Sequence, residues 1–291
     1  MNKLMYSAPL YFVAFLPMII MLYQLCPQKF RKFVLLLANY AFFFIWSKFF
    51  LVYQVITMLI TYVSAKVIDH TANKKTKKIS LFIAIVINLG VLVVLKYTNF
   101  FGENIFAIFH QPFTPIRLIA PIGISYYTLQ MISYLMDTSS GKIHSDHSIV
   151  DFAVYASFFP TLIQGPITRF NEVKDSIHAC NPITYQNLKF GSQRILFGLM
   201  KKMIIADRLD PAVSKIFTSY TQDGLFSLIG AVLCTIQLYM DFSGIVDICL
   251  GSAEIFGIKL PENFRQPFFA ENASDFWRRW HITLGTFLRD Y

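Results

Sequence analysis

Charge is the first thing this sequence lacks. Only 15% of its 291 residues are Asp, Glu, Lys or Arg, against about 25% in ordinary soluble domains. That is too few to solvate a globular surface, which excludes a cytosolic enzyme and a disordered chain. Cysteine is also scarce. Cys26, Cys180, Cys234 and Cys249 form no C-x-x-C pair, and three of them lie in or beside apolar segments. They read as buried, inert thiols, not as a disulfide framework, a metal site or a redox site. The six histidines show no H-E-x-x-H spacing, so a zinc hydrolase has no support. No internal repeat, low-complexity tract or long linker is present.

What is abundant is apolar. Hydrophobic residues make up 55% of the chain, and its mean hydropathy is +0.50. A polytopic membrane protein is the class that remains. Lys and Arg number 26 against 17 Asp and Glu, a formal +9. The basic residues sit mostly between apolar segments, where the positive-inside rule and anionic headgroups account for them. No stacking platform alternates with a basic groove, so nucleic acid is not an expected partner.

Four apolar segments open the chain. Ala8 to Leu25 reads as a retained transmembrane helix, since only Lys3 precedes it and no cleavage pattern follows. Pro17 inside it predicts a kink. Phe33–Trp46, Phe49–Val67 and Ile79–Leu95 follow, the last ending at Lys96. Each approaches the ~20 residues that a bilayer requires. Two strongly basic connections, Lys29–Lys32 and Asp69–Lys78, are separated by two spans, while the Ser47–Lys48 turn is weakly charged. That parity puts both basic loops in the cytoplasm and the N-terminus outside.

The middle of the chain is less regular. Asn99–His110 is short and amphipathic. Arg117–Met136 is interrupted by Pro121 and Gly123, and Val150–Ile167 by Pro160, Gly165 and Pro166. Such segments are either ordinary kinked spans or broken helices, which exist at membrane depth only where protein or a wet cavity satisfies the freed backbone. Asn187–Leu209 is amphipathic, with Arg194, Lys201 and Arg208 on one face, the pattern of an interfacial or snorkelling helix. Leu225–Leu250 is apolar but holds Gln237, Asp241 and Asp247.

An ionisable group in an apolar segment costs about 2.5–3.5 kcal/mol on insertion scales and is a functional candidate by default. Asp241 is such a group, four residues from Gln237 and so on the same helix face. The bland alternative is that Gly244 ends the helix and Asp241 meets the headgroups. Asp275-Phe-Trp-Arg-Arg-Trp-His281 is the most distinctive string. As a helix it places Trp277 and His281 on one face, followed by Leu284 and Leu288, with Asn272 as cap and Asp275 in the first turn. Spacing alone favours an interfacial anchor of Trp and snorkelling Arg. Alternatively, a neutral imidazole beside a cavity accepts a proton from a hydroxyl, with Arg278 or Arg279 stabilising an anionic donor. His70, His110, His144, His147 and His178 read as solvated histidines in or beside polar connections.

Five strings resemble the membrane-bound O-acyltransferase family, in the family's order. They are Pro121–Gln130, Phe158–Phe170, Gln237–Gly244, Pro261–Pro267, and Asp275–His281 continued by Ile282–Tyr291. The Trp-Arg-Arg-Trp-His run looks closest to bacterial polysaccharide O-acetyltransferases of the alginate-acetylation type. The resemblance implies an all-α fold: a ring of transmembrane and tilted or broken helices around a central tunnel. The chain then reads as one integral membrane domain, with N-terminal helices over 1–98 and a motif-bearing tunnel region over 99–291.

The resemblance implies transfer of an acyl group, most simply acetyl, from an acyl-CoA or acyl carrier protein thioester to a hydroxyl of an extracytoplasmic polysaccharide. Its expected partners are the lipid bilayer, the acyl donor, the glycan acceptor and an extracytoplasmic acyltransferase. No bound cofactor and no metal are implied. His281 is the expected catalytic residue, and Gln237, Asp241, Trp277, Arg278, Arg279 and Trp280 are the expected tunnel residues. The family's principal histidine lies in a later apolar segment. The sequence stops at Tyr291, so the chain is expected to be the N-terminal part of an acyltransferase. D-alanyl transfer to teichoic acid and a non-catalytic transport module are the rival readings.

Overall fold

A computed structural model describes residues 9–46, 48–116, 123–145, 148–162, 164–219 and 224–291, with the backbone alone at 46 and 48–50. Lys3, Ser47, Pro121 and His147 lie outside the described residues. The described residues are mostly helical and pair extended backbone only in one isolated bridge, Phe264 with Trp280.

The apolar N-terminal segments form α1 (Leu16–Leu25), α2 (Gln28–Trp46), α3 (Lys48–His70) and α4 (Lys74–Ile108). A π turn at Tyr11–Phe15 runs directly into α1, where Pro17 occupies the first turn. The break expected at Pro17 therefore takes the form of a widened turn, which absorbs the missing N–H. Asn73 caps α4 through Lys75 N at 2.9 Å. Lys96 does not end that helix, and Asn99–His110 is mostly its continuation. No proline interrupts the run, and Lys96 Nζ finds Ser125 Oγ at 3.2 Å. At 35 residues, α4 is about 50 Å long, well beyond the ~30 Å hydrocarbon core. Leu51–His70, Lys74–Ile108 and Gly224–Ile255 are each long and apolar enough to cross a membrane.

Two shorter helices, α5 (Ile124–Ser139) and α6 (Ile149–Ser157), pack inside this layer, α5 on α3 and α4, α6 on α2 and α3. Gly123 caps α5 at φ 86°, a conformation that glycine adopts without strain. After α6 the backbone is irregular up to α7 (Phe170–Ala179), yet Phe158, Phe159, Thr161 and Thr168 are buried. Its polar groups are satisfied from neighbouring helices. Phe159 N donates to Asn39 Oδ1 at 3.0 Å, and Gln54 Nε2 donates to Ala156 O at 3.2 Å. This is a broken helix buried in protein. The core gathers Tyr11, Phe15, Phe42 and Phe159, with ring centroids 5.3–6.3 Å apart.

The next unit is a long rod: α8 (Tyr185–Leu199), a π segment at Met200–Ala206, and α9 (Asp207–Ser219). Helix α10 (Gly224–Ile255) packs antiparallel along α8. Two glycine pairs make the approach possible. A Cβ added at Gly198 would sit 2.5 Å from Gly244 O, and one at Gly251 would sit 2.5 Å from Gly191 O. Gly244 therefore does not end α10. It lets two backbones meet, as small residues do between membrane helices. The glycine face of α8 is packed against α10. The chain closes with α11 (Ala273–Arg279) and α12 (Ile282–Asp290).

Gly198→Leu should collapse this seam, since the side chain meets backbone instead of a movable group. Gly90, with nothing within 4 Å of its would-be Cβ, serves as the control. Accumulation and thermal midpoint in detergent should fall sharply for Gly198→Leu, by more than the ~1–3 kcal/mol of ordinary overpacking, and stay near native for Gly90→Leu.

Candidate active site

The Asp275–His281 string is not one helix. Asn272 Oδ1 accepts Asp275 N at 2.9 Å and starts α11, as expected. The helix ends at Arg279, Trp280 is extended, and His281 adopts a left-handed conformation, φ 45° and ψ 52°. Trp277 and His281 therefore do not share a helix face, contrary to expectation. The cause is a second strand of chain. Arg265 N donates to Arg279 O at 2.9 Å and Ile282 N to Asn263 O at 3.0 Å, so the Pro261–Pro267 string captures the backbone that would have continued the helix. A non-glycine residue in this region costs of order 1–3 kcal/mol and persists only when its surroundings over-determine it.

Asn263 supplies that restraint. It is fully buried. Its Oδ1 lies 3.2 Å from His281 Nδ1, 3.1 Å from Thr283 N and 3.0 Å from Thr283 Oγ1. The Thr283 hydroxyl in turn accepts Ile167 N at 3.1 Å, which joins the broken segment to the start of α12. At the far end of α12, Arg169 pairs with Asp290 and lies over the Tyr291 ring at 5.2 Å.

The His281 imidazole is half-buried between rings. Phe242 of α10 meets it edge-on at 4.9 Å, and Tyr126 of α5 lies parallel at 6.2 Å. Burial pushes its pKa down from 6.5 to about 4, so the ring is neutral at physiological pH. Its Nε2 has no hydrogen-bond partner among the described residues.

The other expected residues are placed separately. Trp280 packs with Tyr239, Phe264, Phe268 and Phe276. Trp277 is 65% exposed. Arg278 bonds back to Ser274. Arg279 bridges Asp275 at 2.9 Å and holds that carboxyl below its usual range. Gln237 Nε2 donates to Asp210 Oδ1 at 2.8 Å, and Asp241 pairs with Lys202. Both face the π segment and α9, and neither touches His281.

The membrane-depth carboxylate with the most partners is Asp247. It is buried, with Arg194 Nε and Lys201 Nζ each at 2.6 Å; Arg194 also forks onto Glu262 at 2.9 and 2.7 Å. Arg194, partly exposed, and Lys201, largely buried, are thus both paired with carboxylates of this chain. This group lines a cavity of about 490 Å³ together with Tyr239, Ser243 and Phe264. Phe264 touches Phe242 at 5.0 Å, which puts His281 one ring away. The seven-residue spacing of Arg194 and Lys201, against an acid in the facing apolar helix, was the available signal for this pairing. Asn263 had no comparable signal. His178 is exposed, as expected, but lies in the last turn of α7 instead of a loop, with its Nδ1 2.7 Å from Asp151.

Fold and site together define an all-helical membrane protein built around a broken, polar-satisfied interior and a neutral histidine. The sequence model of the MBOAT, membrane-bound O-acyltransferase family matches residues 82–291. The chain belongs to this family. Among similar proteins, the probable alginate O-acetylase AlgI of Pseudomonas aeruginosa is 35% identical over 99% of this chain and 56% of its own length. The peptidoglycan O-acetyltransferase of Helicobacter pylori is 34% identical over 99% of this chain and 61% of its own. The teichoic acid D-alanyltransferase of Bacillus subtilis is 32% identical over 62% of this chain and 46% of its own. The chain spans somewhat more than half the length of the two O-acetyltransferases it matches.

Two outcomes test this geometry. Asp247→Ala leaves Lys201 without its counter-charge and Arg194 with Glu262 alone, and should cost about 3–5 kcal/mol, read as loss of folded protein in detergent. Acid should also bear on the fold through His281. Between pH 6.5 and about 4 the unfolded chain binds a proton that the folded ring refuses, so stability falls as pH falls through that window. The drop in thermal midpoint from pH 7 to pH 4 should be smaller in His281→Gln than in the native protein.

Proposed function

We propose that this chain is part of an O-acyltransferase that moves an acyl group, most simply acetyl, from a thioester to a hydroxyl of a cell-surface polysaccharide. The observation that carries the reading is the neutral, half-buried His281, held by Asn263 beside aromatic walls. The names of the two relatives that match nearly all of this chain, an alginate O-acetylase and a peptidoglycan O-acetyltransferase, support a glycan acceptor and acetyl transfer. The D-alanyltransferase relative matches a smaller share of the chain, so teichoic acid is the less supported acceptor.

The chemistry is balanced as follows. The acceptor oxygen bonds to the thioester carbonyl carbon, the C–S bond breaks, and the hydroxyl proton passes through a base to the departing thiolate. His281 accepts the hydroxyl's hydrogen bond and orients it. Holding both reactants in a dry path supplies proximity and excludes hydrolysis. The cavity that Phe242 separates from His281 is lined by Arg194, Lys201 and Arg265 against Asp247 and Glu262, and this excess of cations suits an anionic donor such as acyl-CoA or an acylated carrier protein. The reaction needs no resident cofactor or metal.

The protein sits in the cell membrane as a multi-pass chain with its N-terminus extracytoplasmic. The start of α2, carrying Lys29, Arg31 and Lys32, and the α3–α4 connection, with Lys74, Lys75, Lys77 and Lys78, fall at the same end of successive helices, which fits the positive-inside rule. An extracytoplasmic partner enzyme that finishes the transfer fits the same scheme.

His281→Ala in the native protein should lower ester-linked acetyl on the surface polymer by about 10²–10⁴-fold in rate. Acetyl released by mild base reads the outcome, with membrane abundance checked in parallel. Undiminished acetylation at normal abundance would remove His281 from the reaction.

A further inference from the structure

We infer that Asn263 is a positioning residue that fixes which nitrogen of His281 carries the proton: its side-chain oxygen holds the ring as the Nδ1–H tautomer and leaves the Nε2 lone pair for the acceptor hydroxyl. What Nε2 does rests on the acyl-transfer reading above. Which nitrogen is protonated follows from hydrogen-bond geometry alone.

The argument starts from a donor that cannot change its role. Thr283 N is a backbone amide 3.1 Å from the Asn263 side chain. A backbone N–H only donates, so the atom facing it is the amide oxygen and not the NH2 group. The Thr283 hydroxyl is compatible with the same orientation. Ile167 N, another obligate donor, is bonded to Thr283 Oγ1 at 3.1 Å, so the hydroxyl's own proton is free to point at Asn263 Oδ1, 3.0 Å away. Turning the amide over would set its NH2 against the Thr283 N–H. The oxygen is therefore fixed, and His281 Nδ1 lies 3.2 Å from it. An amide oxygen has no proton to give. A neutral imidazole has a single N–H, which must then be on Nδ1, and Nε2 is left as an acceptor.

The surroundings keep this arrangement. Asn263 is fully buried, and its own carbonyl accepts Ile282 N at 3.0 Å. The Phe264–Trp280 bridge holds the two segments in register. Phe242 and Tyr126 confine the ring. Asn263 Nδ2 is buried with no partner among the described residues. Such an unmet donor costs about 1–3 kcal/mol, so the amide is not placed for its own satisfaction. The chemical consequence is direct. The opposite tautomer would present an N–H to the acceptor, which competes for the nucleophilic lone pair. The tautomer held by Asn263 presents a lone pair, which draws the hydroxyl proton away from the attacking oxygen.

The test is a nitrogen-15 spectrum of the native protein carrying labelled histidine in lipid nanodiscs at neutral pH. The His281 signals are identified by their loss in His281→Gln. The expected result is a protonated Nδ1 and an unprotonated Nε2; a proton on Nε2 overturns the inference. Asn263→Leu should release the ring to a tautomer mixture and lower kcat by about 10²–10⁴-fold with KM unchanged. Asn263→Asp keeps the acceptor and should restore both the Nδ1–H signature and most of kcat. If Asn263→Leu does not fold, the native and Asp spectra still decide. Retained Nδ1–H in a folded Asn263→Leu would also overturn the assignment. Absence of acetyl transfer by the native protein would count against the functional reading, while the spectra would still decide the tautomer.

Discussion

A backbone amide withdrawn from water must find a partner, and most of this structure can be read as an answer to that constraint. The described residues between Phe158 and Arg169 are irregular and largely buried. This is possible only because Asn39 and Gln54, on helices that otherwise face lipid or core, turn amide side chains inward. Each unsatisfied group at such depth would cost several kcal/mol. The same device operates at the site. Asn263 and Thr283 replace the helix bonds lost where α11 stops and α12 begins. In both places a side-chain amide or hydroxyl acts as backbone for a chain that has left the helix. The broken segment and the histidine turn meet at the Ile167–Thr283 bond, so interior and site are one network.

The second organising feature is the α8–α10 seam. Glycine pairs bring the helices close enough for backbone contact, and the close approach brings Arg194 and Lys201 to Asp247. Buried ion pairs of this kind contribute little net stability when whole, but losing one member is costly. Their value here is registration. The pairs accept α8 against α10 at one position along the axis, and α10 carries Phe242 against His281. Register at the seam thus sets the wall of the site.

Much of this was legible in the sequence. The long apolar runs announced helices at membrane depth, because twenty apolar residues have few other homes. Proline and glycine inside Val150–Ile167 announced a helix that could not continue. Asn272 announced the start of α11. Other features were not legible, for identifiable reasons. Lys96 looks like a span's end, yet nothing in one lysine breaks a helix, and α4 runs through it. Asp241 was singled out because it is costly in an apolar segment, but the same reasoning applies to Asp247, and only packing shows which acid is buried deeper.

The sequence by itself determined the class of protein, the membrane as its solvent and His281 as the residue to watch. The first two follow from composition and local pattern, which depend on neighbours in the chain, and His281 came forward through the family resemblance. Only the tertiary structure decided that the Trp-Arg-Arg-Trp-His run breaks before its histidine. Helix propensity favoured continuation, and the competing hydrogen bonds come from Asn263 and Arg265, fourteen to twenty residues away along the chain. Bonds of that range are invisible to periodicity. They exist only once the two segments are brought together, and here they determine how the imidazole is held.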